Sequence, residues 1–137
     1  MRRFVPAAIA AALALAVLAV PASARIDHHF SVISNQVSQH QHGDTFSFRE
    51  QLFQIDNPAN QVGNDHVSCH ESPSHKFKCR AIVHLNGEIG GFGFLRVNGN
   101  IGRDDSRLNV LGGTDDFSGA AGKVITHGNH LHFDIVR

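Results

Sequence analysis

The sequence predicts an all-β fold built from short antiparallel strands. Past residue 24 the apolar residues recur with period two or in brief continuous runs, and no long stripe of helical period appears. Turn-forming pairs break the pattern at short intervals: Asn57-Pro58, Asn86-Gly87, Asn98-Gly99 and Gly128-Asn129. Strands that follow one another so closely form a meander, which either closes into a small barrel or folds into a two-sheet sandwich. Closure would remove the unpaired edges that otherwise recruit other chains.

The first element is not part of that fold. Arg2 and Arg3 precede an apolar run of Ala, Leu and Val that ends in Pro21-Ala22-Ser23-Ala24. A basic start, an apolar stretch and a small-x-small site are the parts of a secretory signal peptide. Cleavage near Ala24 leaves residues 25–137 as one domain, secreted or periplasmic, with no membrane span in the mature form. The strands then read 28–34 (HHFSVIS), 44–55 (DTFSFREQLFQI), 65–70, 76–85 (KFKCRAIVHL), 88–97 (EIGGFGFLRV), 105–111, 122–127 and 130–136. The tract from Gln36 to His42 reads as merely polar. Gly90, Gly91 and Gly93 fall inside one expected strand, where missing side chains permit sharp bending or a close backbone approach.

Composition excludes several functions. Without Arg2 and Arg3 the chain holds 10 basic against 12 acidic residues, a formal charge of −2 with histidines neutral, so it carries no nucleic-acid footprint. Phe supplies all the aromatic residues, and the absence of Trp and Tyr excludes a phenol acid or an indole platform. Cys69 and Cys79, in an exported chain, are expected to pair as a disulfide across a short polar turn. The rival is a metal site of Cys69, His70 or His75, and Cys79, although its spacing is not that of a zinc finger.

The densest glycine stretch, LGGTDDFSGAAGKV at 111–124, nearly spells a phosphate loop. A phosphate loop needs its first glycine where Phe117 stands, and a Ser or Thr where Val124 follows Lys123, so that reading fails. What the stretch resembles is the signature of the allene oxide cyclase/dirigent barrels. The residues that carry the resemblance are Gly112, Gly113, Thr114, Phe117, Gly119, Ala120 and Gly122, with the 52–56 strand, the two cysteines and the 85–89 hairpin in agreement. The resemblance implies a small eight-stranded antiparallel β-barrel with an apolar cavity, a small hydrophobic ligand, a cyclase- or isomerase-like steering activity in some members, and a homotrimer. Two positions depart from it. Asp115 stands where the signature has a glycine at its fourth position, and no tyrosine is available for the cavity, so no catalytic residue is carried over. Asp115-Asp116 reads as a turn cap.

Eleven histidines are the other anomaly. His130, His132 and Asp134 share one face of an expected strand, opposite Leu131, Phe133 and Ile135. They are candidate ligands for zinc, copper or nickel, against the alternative of a solvated polar face. His40 and His42 form a second His-x-His pair, in the polar tract. His84 lies beside Ile82 and points into the core or a cavity, with Glu50, Asp56, Glu88 and Arg96 as its candidate partners. Phe48, Glu50, His84, Phe92, Phe94 and Arg96 are the candidate cavity residues. Full protonation of the histidines would carry the formal charge from −2 toward +9, a basis for acid-dependent adhesion. Three functions stay open: a ligand-binding barrel that steers a reaction, a non-enzymatic binding protein that includes a His-rich metal-binding version, and a structural or surface-interaction protein. No cofactor is required by the first.

Overall fold

In the computed structural model, residues 27–102 and 105–137 are described, and the segment expected from the sequence to be a signal peptide lies outside them. Eight strands run β1 (Asp27–His42), β2 (Thr45–Gln54), β3 (Gln61–Glu71), β4 (Phe77–Asn86), β5 (Phe92–Ile101), β6 (Asp105–Gly113), β7 (Ala121–His127) and β8 (His130–Val136). Each pairs antiparallel with its successor, and β8 pairs back onto β1 from Ile33↔His130 to Asp27↔Val136, so the sheet closes as a barrel and not as a sandwich.

Strict alternation explains what lies inside. In β4, Cys79, Ala81, Val83 and Leu85 are buried while Lys78, Arg80 and Ile82 are exposed; β8 buries Leu131, Phe133 and Ile135 and exposes His130, His132 and Asp134. Cys69 and Cys79 are a register pair on β3 and β4, both pointing inward, and they form a disulfide. It closes a loop short enough that the entropic stabilisation is roughly 2–3 kcal/mol.

The 111–124 stretch ends the strands on one rim. After β6 the chain makes a single 3-10 turn, Asp115–Phe117, whose Phe117 is fully buried. The Thr114 amide donates to the Phe94 carbonyl at 2.9 Å, and the Phe92 amide donates to Asp116 Oδ2 at 2.9 Å, which lays the turn against the start of β5. Asp115 has φ +53°, so it holds the left-handed conformation that a glycine favours, and aspartate tolerates it better than most residues. Two glycines of the stretch are needed for contact: a Cβ on Gly113 would lie 2.1 Å from the Phe94 carbonyl oxygen, and one on Gly122 would lie 2.1 Å from that of Asp134.

Several expected boundaries move. β1 continues to His42, because its second half pairs with β2 through His40↔Ser47 and His42↔Thr45; the polar tract is therefore strand, with a bulge between Gln36 and Ser38. Asn98-Gly99 is not a turn but lies within β5, paired with Arg80 and Cys79 on β4. The Asn86-Gly87 turn occupies residues 87–91, longer than two residues, so Gly90 and Gly91 belong to the connection. Gly93 does lie in β5, at φ +128°, where a Cβ would meet the Thr114 carbonyl oxygen at 2.5 Å.

Candidate functional site

The barrel interior divides into a packed end and an open one. At the end closed by the 115–117 turn, Phe117 joins Leu52, Leu85, Leu95, Phe133 and Ile135, all fully buried, and Phe30 stacks on Phe133 with ring centroids 4.6 Å apart. Toward the other end side chains no longer fill the lumen. A cavity of about 130 Å³ remains, reaching the β7–β8 turn at Gly128. Its wall is mostly apolar (Phe48, Val67, Val83, Val97, Leu108 and Leu131 among others), and its polar groups are Ser34, Glu50, Asp65 and Thr126. An apolar cavity of roughly 150 Å³ holds one benzene ring, which sets the scale of an occupant.

Glu50 and Asp65 form one register pair on β2 and β3, with both side chains inside. Burial pushes the Asp65 carboxyl up to about 8, and the neighbouring Glu50 charge adds to the rise. Burial also raises Glu50, opposed by its hydrogen bond from Ser34 Oγ, 3.1 Å from Glu50 Oε1. Two buried acids on facing positions resist simultaneous ionisation, so the pair retains a proton near neutral pH. Asp65 Oδ1 is buried without a hydrogen-bond partner. An unmatched polar atom beside a void is what a ligand's donor group would satisfy.

The expected cavity residues separate into two sets. Phe48 and Glu50 line the cavity. His84, Phe92, Phe94 and Arg96 do not: each alternates with buried Val83, Leu85, Gly93, Leu95 or Val97 and faces outward. His84 stacks on Phe94 at 4.6 Å between ring centroids, outside the barrel, so it is neither a core nor a cavity histidine. Asp56 and Glu88 lie in connections, with Glu88 Oε2 accepting from Asn60 Nδ2. Asp65 was missed because the expected strand began on it, which hid its place opposite Glu50. The FSFREQL alternation, which sets Glu50 among inward Phe46, Phe48 and Leu52, was the signal that could have found its partner.

The metal candidates stand on the outer surface. His130, His132 and Asp134 point away from the lumen, as the apolar row of β8 requires, while His40 and His42 lie in the outer part of β1. Asp134 Oδ1 is 3.1 Å from His29 Nδ1, and Ser31 Oγ is 2.6 Å from His132 Nδ1. Among the described residues, no three His, Cys, Asp or Glu side chains already converge around one point. The two cysteines are consumed by their disulfide, which removes them from the rival Cys/His ligand set.

Against known proteins, no family model and no curated protein matches the chain. A solved structure of a pyocyanin demethylase superposes with a TM-score of 0.66 over 80% of this chain and 99% of that one, at 16% sequence identity. At that identity the likeness is one of fold: the chain is an eight-stranded antiparallel barrel of the same architecture.

Proposed function

We propose that this is an exported ligand-binding barrel whose lumen takes a small, mostly apolar molecule about one ring in size, bearing a hydrogen-bond donor or a cationic nitrogen. The observation that carries the reading is the orphaned Asp65 Oδ1 and its partner Glu50 at the edge of a 130 Å³ apolar cavity. A donor placed there satisfies the buried oxygen, and a cation would draw off the proton that the pair shares. In the finer reading implied by the resemblance to allene oxide cyclase/dirigent barrels, the lumen folds its occupant toward one ring-closure or isomerisation geometry. The Glu50–Asp65 pair would then move the proton. The likeness in fold to a pyocyanin demethylase supports a small-molecule occupant, since that protein's name denotes an enzyme acting on one.

The test is a thermal-shift and calorimetric comparison of benzylamine, aniline and toluene as probes. The amine-bearing rings should raise the melting temperature more than toluene does, and Asp65→Asn should abolish the difference. Equal shifts from all three, or none, would remove this reading. The outward patch of Ile82, Phe92, Phe94 and Leu111, each about half exposed, favours self-association as an addition to it. We propose that face as the contact of the homotrimer that the family resemblance implies.

A further inference from the structure

We infer a divalent-metal site on the outside of the barrel, at His127, His130 and His132, for zinc or a similar imidazole-seeking ion. It is independent of the lumen and of its occupant. The expectation drawn from sequence paired His130 and His132 with Asp134, but the folded chain offers a different third ligand. β7 and β8 are joined by the two-residue turn Gly128-Asn129, and the register sets His127 directly opposite His130 and Ile125 opposite His132. All three histidines are exposed on the outer surface. His130 and His132 are separated by two residues on one strand, about 7 Å. His127 and His130 are a cross-strand pair, about 5 Å between Cβ atoms, and His127 and His132 are diagonal neighbours at roughly 7–8 Å or less. A His-x-His pair with a third histidine on the adjacent strand thus forms a compact triangle, and the length of an imidazole spans half of each side.

Two of the three rings, His127 and His132, are already oriented by a neighbour. Ser31 Oγ meets His132 at Nδ1, 2.6 Å away, which leaves Nε2 as the nitrogen for a metal. Asp105 Oδ1 meets His127 at Nδ1, across the β6–β7 register pair Asp105↔His127. A carboxylate or hydroxyl on one imidazole nitrogen is the support that metal-binding histidines usually carry, because it fixes the tautomer and the ring plane. Asp134 is engaged elsewhere: its carboxylate faces His29, and its register partner on β7 is Lys123. Among the described residues, as the side chains stand, the three donors do not converge on one point. The assignment requires the exposed His130 and His132 side chains to change χ1 and χ2 rotamers so that their rings turn toward His127. Three neutral imidazoles leave the fourth tetrahedral position to water.

The decisive experiment is calorimetric titration of the untagged protein with zinc at pH 7.5, together with visible spectroscopy of the cobalt-loaded form. One equivalent of zinc should bind, and cobalt should give the intense bands of tetrahedral coordination. His127→Ala, His130→Ala and His132→Ala should each weaken zinc binding at least tenfold. Ser31→Ala should weaken it several-fold, and the double variant His40→Ala/His42→Ala should leave it unchanged. All the substituted side chains are solvent-facing, so melting temperatures of the metal-free variants should match the parent. Zinc binding that is absent, that survives in all three single variants, or that is lost in the His40/His42 variant instead, overturns the assignment.

Discussion

Asp65 is the residue whose charge state the fold controls most strongly. Its carboxyl titrates near 4 in the unfolded chain and about 8 in the barrel, so between those values the native state binds more protons than the unfolded one. Stability from this site is therefore fully present below about pH 4 and is lost progressively as pH rises through about 8. Asp65→Asn keeps the shape and removes the titration. We expect it to flatten the decline in urea-denaturation stability between pH 5 and 8.5, and to make the protein more stable at the upper end by roughly 1–3 kcal/mol. A parent whose stability rises over that interval would contradict the shared-proton description. Glu50 was legible in the sequence, because alternation in a single strand suffices to place it. Its partner was not, because pairing across β2 and β3 depends on the bulge opposite Leu52 and Phe53, where Val62 is the extra residue. A one-residue change in register reverses which side chains face the lumen. His84 failed for a related reason. The segment AIVHL is apolar throughout, so hydrophobicity alone could not say which alternate set was inward, and exposed Ile82 disguised an outer face as a core.

Among the elements, the strand ends that flank the β6–β7 connection carry the tightest constraints. Gly122 sits at φ +134° with the Asp134 carbonyl oxygen where a Cβ would have to go, and both its strand neighbours are backbone of the closed sheet. Gly122→Ala should cost about 2–4 kcal/mol, whereas Gly119→Ala, at φ +73° with open space around it, should cost about 1 kcal/mol. Chemical denaturation of the two variants measures the difference, and equal losses would refute the collision. Strand content was largely readable because each of the eight expected segments overlaps one of the eight observed strands. The second half of β1 was not, since it pairs only with β2 and buries almost nothing, so it carries no hydrophobic signal. The glycines of β5 misled in the opposite direction. Asn98-Gly99 has the composition of a turn, yet Gly99 is glycine because a Cβ would lie 2.7 Å from the Arg107 carbonyl oxygen of the next strand.

For the molecule as a whole, the outer surface is divided by chemistry. The β4–β6 side shows Ile82, Phe94 and Leu111 with Arg80 and Arg96 beside a shallow groove, while the β7–β1 side shows imidazoles and carboxylates. The exposed apolar side chains Ile82, Phe94 and Leu111 cluster on the β4–β6 side, with Val37 and Ile55 exposed elsewhere, and that cluster gives an association surface a defined place. Light scattering of the parent should therefore report an oligomer, and Ile82→Glu/Phe94→Glu should yield a folded monomer. A monomeric parent would remove the trimer assignment. The closed end of the barrel has a separate effect. With Phe117 and the Phe30–Phe133 stack packed at one end, the cavity lies toward the β7–β8 turn, and an occupant that enters from that side must leave by the same route. Two molecules cannot pass through in relay, and a second reactant cannot approach the first from behind. Any transformation inside is thus confined to one molecule at a time, and a compound lodged in the mouth would halt entry and departure together.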